Sequence, residues 1–385
     1  MRIAWVLHGE LAQRTGGTIY DAEVVAGLRR AGDEVTVVSL PRVVGSLVEQ
    51  VRALAPDVVV GDELCFRELA LLFPRLEGCA TRRVLLVHHL TRWETEVPRQ
   101  RRRALGLLES LAMRASDQIV TTSETTLRRL IAEGADRPIA VVLPGADRLA
   151  RLDPTAGSAE ERGVRFAFLG AIIARKRVLE LVRAFAEGAG EEAQLVLVGS
   201  ATRDPRYVGL VLELIARRGL TARVTLLGEV DEIGAARALA ASDVLVMPSS
   251  LEGYGIAATE AVHAGLPVIA ARAQGLEEAL SPCPAACLFV DDQPALASAL
   301  RRFATDRVLR ATMREAANDA RTILPRWSAC AAAFRATIGA PCPQQSVDPP
   351  PNSVKILHDR SRGRPDARGL TGSAGIVKSL HHRFV

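Results

Sequence analysis

The sequence predicts an α/β protein in which two doubly wound, Rossmann-like domains follow one another along the chain. The 385 residues exceed the usual size of one domain. Short apolar runs alternate with longer amphipathic stretches throughout, as they do in repeated βα units. A segment rich in Gly, Pro, Asp and Ser at residues 144–163 interrupts this alternation, which then starts again.

The first half of the chain contains six candidate strands and five candidate helices. Most of the strands are fully apolar, as expected for parallel strands that are buried on both faces. The strands are predicted at residues 3–7, 34–38, 57–60, 83–87, 118–121 and 139–143. The helices are predicted at residues 19–30, 46–54, 66–73, 98–115 and 124–132. We therefore expect an N-terminal domain over residues 1–160.

The second half repeats the pattern and is expected to form a C-terminal domain over residues 161–325. Its strands are predicted at residues 165–169, 194–198, 223–227, 244–247, 267–270 and 287–290, and residues 301–323 are predicted to be helical. A further helix is predicted at residues 327–338, and the last 45 residues contain six prolines and are expected to be disordered. Ligands of such sheets bind at the carboxyl ends of the strands, which predicts a cleft between the two domains.

Charge and cysteine usage exclude several classes of protein. Residues 341–385 carry +4 of the net charge of +5, so the charge does not indicate a nucleic-acid-binding protein. No apolar stretch is long enough for a transmembrane helix, and we expect a cytoplasmic protein. The six cysteines lack the spacing of a zinc site, so no metal is expected. Four arginines could contact anionic lipid or another charged partner, although a solvated helix face is favoured: Arg99, Arg101, Arg102 and Arg103.

The segment S-S-L-E-G-Y-G-I-A-A-T-E at residues 249–260 joins a predicted strand to a predicted helix. Gly253 and Gly255 leave backbone N–H groups accessible at the helix start, which suits an anion such as a diphosphate. Glu252 and Glu260 can border the same crevice and bind sugar hydroxyls. The alternative is that Glu252 is a helix-start charge and Glu260 an exposed helix residue.

Two other loops also follow strands. The segment F-L-G-A-I-I-A-R-K-R places Arg175, Lys176 and Arg177 at a helix start, where cations are unfavourable unless they neutralise an anion or the turn is solvated. In R-T-G-G-T-I-Y, Gly16 and Gly17 permit close approach of a ligand, although the pattern is not a nicotinamide-binding fingerprint.

The segment L-V-H-H-L-T-R-W-E follows a further strand, at residues 86–94. It places His88 and His89 at the carboxyl end of that strand. We expect one of the two histidines to face the cleft and the other to pack or hydrogen-bond locally.

Together these segments resemble the signature of glycosyltransferase family 4. The stretch V-L-V-M-P-S-S followed by E-G-Y-G-I-A-A-T-E-A-V-H-A-G-L-P-V-I-A carries the resemblance, with the Gly-Gly and Arg-Lys loops in the expected order. The start T-G-G-T-I-Y-D and the H-H-x-x-x-x-E-T segment are similar to those of bacterial, including actinobacterial, members. The resemblance covers roughly residues 1–340 and implies the GT-B fold. It implies that residues 1–160 form the acceptor-side domain, that residues 161–325 form the nucleotide-sugar-binding domain, and that a helix at residues 326–340 returns to the first domain.

The resemblance implies a retaining hexosyltransferase that uses a nucleotide diphosphate sugar, such as a UDP- or GDP-sugar, and no cofactor. Lys176 then matches the lysine that neutralises the departing diphosphate, Glu252 the carboxylate near the transferred sugar, and His88 the histidine near that sugar, with His89 as an alternative. The donor-binding residues that the resemblance implies are Gly16, Gly17, Arg175, Lys176, Gly199, Ser200, Gly253, Tyr254, Gly255 and Glu260. Of these, Glu260 matches the carboxylate that holds the ribose hydroxyls of the donor nucleotide.

One position departs from the pattern of the family. Many members have arginine directly after the glycine of the first βα loop, where this chain has Ala171. Either Arg175 or Arg177 supplies that charge, or catalysis is slower. The resemblance also implies that protein cations and helix dipoles replace a metal ion. The acceptor is expected to be a small molecule, a glycan or a lipid. Two alternatives stay open, a nucleotide-binding protein without turnover and a nucleotide-sugar epimerase of the same fold.

Overall fold

The computed structural model describes residues 1–40, 44–78, 81–149 and 163–340 of the chain. It contains two six-stranded parallel sheets, each covered by helices, which confirms the predicted pair of Rossmann-like domains. The strands are β1 Arg2–His8, β2 Glu34–Leu40, β3 Val58–Asp62, β4 Arg82–Val87, β5 Gln118–Thr121, β6 Ile139–Val141, β7 Arg165–Leu169, β8 Gln194–Val198, β9 Val224–Gly228, β10 Val244–Met247, β11 Val268–Ala271 and β12 Cys287–Val290.

Thirteen α-helices connect and follow these strands in the described residues. They are α1 Gly16–Arg30, α2 Val44–Leu54, α3 Phe66–Arg75, α4 Arg99–Ala115, α5 Glu124–Ala132, α6 Val178–Gly188, α7 Pro205–Arg217, α8 Glu232–Ala240, α9 Ile256–His263, α10 Gln274–Leu280, α11 Gln293–Thr305, α12 Arg307–Asp319 and α13 Trp327–Gly339. We refer to β1–β6 with α1–α5 as the N-terminal domain, and to β7–β12 with α6–α12 as the C-terminal domain.

The strand order fixes where each sheet can bind a ligand. The first sheet has the order β2-β1-β3-β4-β5-β6, and the second has the order β12-β11-β10-β7-β8-β9. The direction of winding therefore reverses between β1 and β3 in the first sheet and between β7 and β10 in the second. Crevices form at the carboxyl ends of strands at such reversals, because the helices that follow leave on opposite faces of the sheet.

The predicted helix at residues 301–323 is wrong in its extent, because the chain forms two helices there. Asp306 ends α11 and begins α12, and its carboxylate accepts a hydrogen bond from the backbone N–H of Leu309 at 2.9 Å. An aspartate that caps a new helix in this way stabilises a break that apolar periodicity alone does not reveal.

The last helix, α13, packs against the N-terminal domain. Phe334 lies beside Trp5 of β1, with 5.3 Å between ring centroids, and Trp327 contacts Tyr20 of α1 edge-on at 6.0 Å. These residues belong to one buried apolar cluster, so α13 completes the core on that face of the first sheet.

Two predicted segments lie partly or wholly outside the described residues. Residues 150–162 of the predicted linker, with the expected domain boundary at 160/161, are outside them, and so is the whole segment 341–385. Within the described part of the chain, no helix combines the length and the apolar character needed to cross a membrane.

A carboxylate of the C-terminal domain caps a helix of the N-terminal domain. Glu278 of α10 accepts hydrogen bonds from the backbone N–H groups of Glu124 and Thr125, both at 2.7 Å. These two residues begin α5, and Ser123 accepts the N–H of Thr126 in the same turn. Because the first N–H groups of a helix need acceptors, Glu278 links the two domains through the helix terminus.

Replacing Glu278 by alanine is therefore expected to lower the free energy of unfolding by about 1–2 kcal/mol, the usual cost of a lost cap. Chemical denaturation measures this change. The matched control is E277A on the same helix, which removes an exposed ion pair with Arg272 and is expected to have a much smaller effect, because solvent screens exposed charges. Equal effects of the two variants would show that the contact between α10 and α5 does not stabilise the domain arrangement.

Candidate functional site

A single cleft brings together the loops that follow β1, β4, β7 and β10. It encloses a cavity of about 330 Å³, which is within the range of small-molecule sites. Of the predicted site residues, those that line it are Gly16, Gly17, His88, Arg175, Lys176, Gly199, Glu252, Gly253, Tyr254, Gly255 and Glu260. The fold thus assembles segments that lie up to 244 residues apart in the chain.

Lys176 and Glu252 form an ion pair inside the cleft. Lys176 lies in the turn after β7 and Glu252 in the loop after β10, and Nζ and Oε1 are 2.5 Å apart. Burial alone would raise the pKa of Glu252, but Lys176 and Arg175 outweigh burial and hold it below its usual value. Burial lowers the pKa of Lys176, which Glu252 partly counteracts. The two loops thus place a cation and a carboxylate side by side at the switch point of the second sheet.

Arg175 adds a second cation to the same wall of the cleft. Its guanidinium donates to the backbone oxygen of Leu251 at 3.0 Å, and it lies 3.7 Å from Glu252 and 3.5 Å from Glu94 of the N-terminal domain. Arg177 is exposed and is not among the described residues that line the cavity. Of the two arginines proposed to compensate for alanine at position 171, the structure therefore favours Arg175.

The start of α9 forms the part of the cleft next to this ion pair. Gly255 precedes the helix with φ +107°, and it offers no side-chain cap to the first N–H groups. Uncapped N–H groups and the helix dipole favour an anion at this position. Glu252 is buried at 9% exposure, so it is not the solvated helix-start charge of the alternative interpretation.

Gly253 packs directly against the backbone of the N-terminal domain. A Cβ atom at this position would lie 2.2 Å from the carbonyl oxygen of His88, so only glycine fits. A Cβ atom at Gly17 would lie 3.2 Å from Cδ2 of the same histidine, and at Gly16 it would meet no heavy atom within 4 Å in the described structure.

These three glycines predict a graded series of alanine variants. G253A is expected to lower the free energy of unfolding by about 1–3 kcal/mol, because the clash is with backbone. G17A is expected to have a smaller effect, and G16A is expected to leave stability unchanged or to raise it slightly. Thermal and chemical unfolding measure the series. If G253A were as stable as G16A, the two domains would not be in contact at this loop in solution.

The two histidines after β4 both line the cavity, whereas only one was expected to face it. His88 stacks edge-on against Tyr20 with 5.3 Å between ring centroids. Nε2 of His89 hydrogen-bonds Oε1 of Glu94 at 2.8 Å. Burial lowers the pKa of His89, and Glu94 opposes this change only in part.

Two predicted donor-binding residues after β8 differ in position. Gly199 lines the cavity. Ser200 is not among the lining residues that the structure describes, and its hydroxyl instead lies 3.2 Å from the hydroxyl of Thr202. The side chain of Ser200 thus hydrogen-bonds within its own turn, and Gly199 is the residue of this pair that can approach a ligand.

Glu260 is fully buried on α9 and is paired with Arg148, a residue that the sequence analysis missed. The guanidinium of Arg148 donates to both oxygens of Glu260, at 2.7 and 2.8 Å. Burial raises the pKa of Glu260 to about 7, although Arg148 acts in the opposite direction. Glu260 is not an exposed helix residue, so the alternative interpretation of this position is wrong. Arg148 is 112 residues away in the chain and lies in the predicted linker, where no local pattern marks it.

The sequence analysis also missed acidic residues that surround His88. Asp62 ends β3 and Glu63 follows it, and both are buried. A carboxylate directly after an apolar strand was the signal, because the carboxyl ends of strands line the cleft in such sheets. Asp21 of α1 gives no comparable signal, since an acidic residue within a helix is ordinary.

Parts of the chain are similar to a known family and to curated proteins. Residues 163–306 match the family described as Glycosyl transferases group 1. The chain is 33% identical over 205 residues to a D-inositol 3-phosphate glycosyltransferase of Nocardia farcinica, which covers 49% of this chain and 44% of that protein. It is 33% identical over 215 residues to a 2-deoxystreptamine glucosyltransferase of Streptomyces kanamyceticus, covering 52% of this chain and 54% of that protein. The chain thus spans about half the length of the curated relatives that it matches.

Solved structures match a larger part of the chain. A sucrose-phosphate synthase from Thermosynechococcus elongatus superimposes with a TM-score of 0.73 at 19% identity, over 86% of this chain and 97% of that one. HepE from Anabaena, in complex with UDP-glucose, superimposes with a TM-score of 0.71 at 18% identity, over 88% of this chain and 99% of that one. These similarities confirm the predicted GT-B fold.

Proposed function

We propose that the protein is a retaining glycosyltransferase of family 4 that moves a hexose from a nucleotide diphosphate sugar to an acceptor. The observation that carries this proposal is the wall of the cleft where Lys176 and Arg175 adjoin Glu252 and the uncapped start of α9. Two cations and a helix N-terminus at a switch point form a site for a diphosphate. A neighbouring carboxylate can orient sugar hydroxyls.

The proposed reaction uses these groups in one step on one face of the sugar. The bond from C1 of the hexose to the β-phosphate oxygen breaks, and the acceptor oxygen bonds to C1 from the same side. The departing β-phosphate oxygen takes the proton of the acceptor hydroxyl. Lys176, Arg175 and the N–H groups of α9 stabilise the charge that develops on the diphosphate, so no metal ion is required. Glu252 and His88 hold the sugar.

In the absence of donor, Lys176 and Glu252 neutralise each other as an ion pair, which suits a site that binds an anion only transiently. When a diphosphate arrives, the ammonium group of Lys176 can turn from the carboxylate to the phosphate. Glu252 then becomes available to accept hydrogen bonds from the sugar. The ion pair thus keeps two charged groups compensated while the cleft is free of donor.

The donor and acceptor classes follow from the relatives as proposals for this chain. Since HepE was crystallised with UDP-glucose, a UDP-sugar is the first donor to test, and a GDP-sugar the second. The curated relatives are named for transfer to D-inositol 3-phosphate and 2-deoxystreptamine, which are both polyhydroxylated six-membered carbocycles. These two compounds are therefore the first acceptors to test.

Titration calorimetry with UDP, GDP, dTDP and ADP, with EDTA present, tests the donor site. We expect micromolar binding of one nucleotide. Incubation with the matching sugar nucleotide and each acceptor is then expected to give a glycoside that retains the anomeric configuration. Binding without any product would favour a protein without turnover. A converted sugar nucleotide formed without acceptor would favour an epimerase, and activity that requires a metal would contradict the metal-independent mechanism.

A further inference from the structure

Four ionisable side chains lie together in the N-terminal domain, and two of them, Glu63 and His88, line the cleft. Asp21 comes from α1, Asp62 ends β3, Glu63 follows it, and His88 follows β4. All four are buried, and Asp21 has no exposed surface at all. His88 alone of the four has a role in the proposed reaction, and the structure surrounds it with three carboxyl groups.

The imidazole of His88 lies between two of these carboxyl groups. Its Nε2 is 3.8 Å from Oδ1 of Asp21 and 3.7 Å from Oδ2 of Asp62. Both separations are within ion-pair range but exceed a direct hydrogen bond. Four atoms that face each other here have no hydrogen-bond partner in the described structure, namely Nε2 of His88, both carboxyl oxygens of Asp21 and Oδ2 of Asp62.

The remaining contacts show that the two aspartates are not equivalent. Oδ1 of Asp62 accepts the backbone N–H of Leu64 at 2.6 Å, which stabilises an ionised carboxylate. Asp21 receives no such donor from any residue that the structure describes. Because two adjacent carboxylates repel each other in a buried site, one of them retains its proton, and Asp21 is the one with less support for a charge.

We propose that Asp21 is an un-ionised carboxylic acid at neutral pH, that Asp62 is a carboxylate, and that His88 is an imidazolium held between them. In this arrangement the two aspartates and the imidazole carry no net charge together. The arrangement compensates the charge of the imidazolium with that of Asp62, and the un-ionised Asp21 adds no further charge. Asp21 and Asp62 are thus positioning residues that act through His88.

The electrostatics of the cluster support this assignment. Burial and the neighbouring Asp62 carboxylate raise the pKa of Asp21 to about 8. Burial would raise the pKa of Asp62, but His88 outweighs it and lowers that pKa. Burial would lower the pKa of His88, but Glu63, Asp21 and Asp62 together raise it well above its usual value.

Three further titratable residues lie next to His88, namely Glu63, His89 and Tyr20, whose ring meets the imidazole edge-on. Glu63, from the turn after β3, accepts the backbone N–H of His88 at 3.0 Å, and burial raises its pKa well above the usual value. His89 lies next in the chain, and burial lowers its pKa. On the side of the C-terminal domain, Gly253 lies next to backbone atoms of His88 and brings no charged side chain.

The consequence for catalysis rests on the proposed function. The imidazolium lies on this wall of the cleft, beside the Gly17 loop, and Asp62 compensates its charge. A cationic ring is a stronger hydrogen-bond donor to the sugar than a neutral imidazole would be. The protonation state of His88 itself needs no substrate, so it can be measured independently of the proposed reaction.

Long-range ¹H–¹⁵N NMR of the full chain, labelled with ¹⁵N-histidine, tests the proposal. H88Q identifies the signals of His88 among the seven histidines. In the wild type, both ring nitrogens are expected at imidazolium shifts at pH 7.5. D62N removes the counter-ion and is expected to lower the pKa of His88 by about two units. D21N replaces one neutral group by another of the same shape and is expected to change it by less than about half a unit.

E94Q serves as the matched control, because Glu94 contacts His89 and not His88 in the described structure. It is expected to shift the signals of His89 alone. Thermal unfolding of each variant verifies that it is folded. Where transferase activity is present, the alkaline limb of the kcat/KM profile is expected to move to lower pH in D62N and to stay in place in D21N.

Three results would overturn the proposal. A neutral His88 in the wild type at pH 7.5 would do so. An equal fall in the pKa of His88 in D21N and D62N would show that Asp21 is ionised. One equivalent of a divalent metal in the purified protein, lost in D21N, would show that the three side chains bind a cation instead. If the NMR result holds while no sugar is transferred, the proposed function fails and this inference stands.

Discussion

Replacing Lys176 by alanine is expected to lower kcat by about 100-fold or more, because the variant loses a main donor to the departing diphosphate. Lys176 is the cation that contacts Glu252 most closely at the start of α9. Steady-state kinetics with a saturating sugar nucleotide measures the change. The matched control is R177Q, which removes the exposed cation next in the chain and is expected to stay within about twofold of the wild type.

The loss of Lys176 also leaves Glu252 with Arg175 as its only cationic partner among the described side chains. Stability and catalysis therefore need to be separated. The double variant K176A/E252Q removes the carboxylate charge as well, and we expect it to recover stability but not activity. Turnover of K176A at the wild-type rate would contradict the assigned role, and so would full recovery of activity in the double variant.

Replacing Glu260 by glutamine is expected to weaken nucleotide binding by about 10-fold to 100-fold, which corresponds to about 1.5–3 kcal/mol for hydrogen bonds to a charged group. The physical reason is that a carboxylate accepts hydrogen bonds from both hydroxyls of a ribose, and an amide can accept through one atom only. Titration calorimetry measures the affinity. E232Q removes the more exposed carboxylate that faces Arg148 at 3.7 Å, and we expect it to change affinity by about twofold at most.

The same carboxylate predicts how binding depends on pH. Since the pKa of Glu260 is raised to about 7, lowering the pH below 7 protonates it, and the affinity of the wild type is expected to fall with it. E260Q is expected to lack this dependence. R148M removes the guanidinium that opposes the rise in pKa, so its affinity is expected to begin falling at a higher pH than that of the wild type. Parallel pH profiles for the wild type and E260Q would contradict the role of Glu260.

Local sequence was sufficient for the elements and for much of the cleft. All twelve predicted strands are present, because runs of apolar residues between glycines and polar turns have few other ways to be buried on both faces. The loops at residues 14–20, 168–177 and 249–260 lie at the carboxyl ends of strands, which is where open parallel sheets bind ligands. The boundary between two helices at Asp306 was missed, because it is set by one capping side chain and not by the apolar periodicity. A single aspartate does not alter an apolar period.

The sequence by itself determined the two domains, their sheets and the residue types that reach the cleft, since these depend on periodicity and on short motifs. Only the tertiary structure decided which side chains pair with one another. Arg148 meets Glu260 across 112 residues, Glu278 caps a helix of the other domain, and Asp21 reaches His88 from a helix that carries no motif at that position. Ion pairs and caps of this kind form between side chains that folding brings together, and their strength depends on burial and distance. A linear pattern records neither quantity.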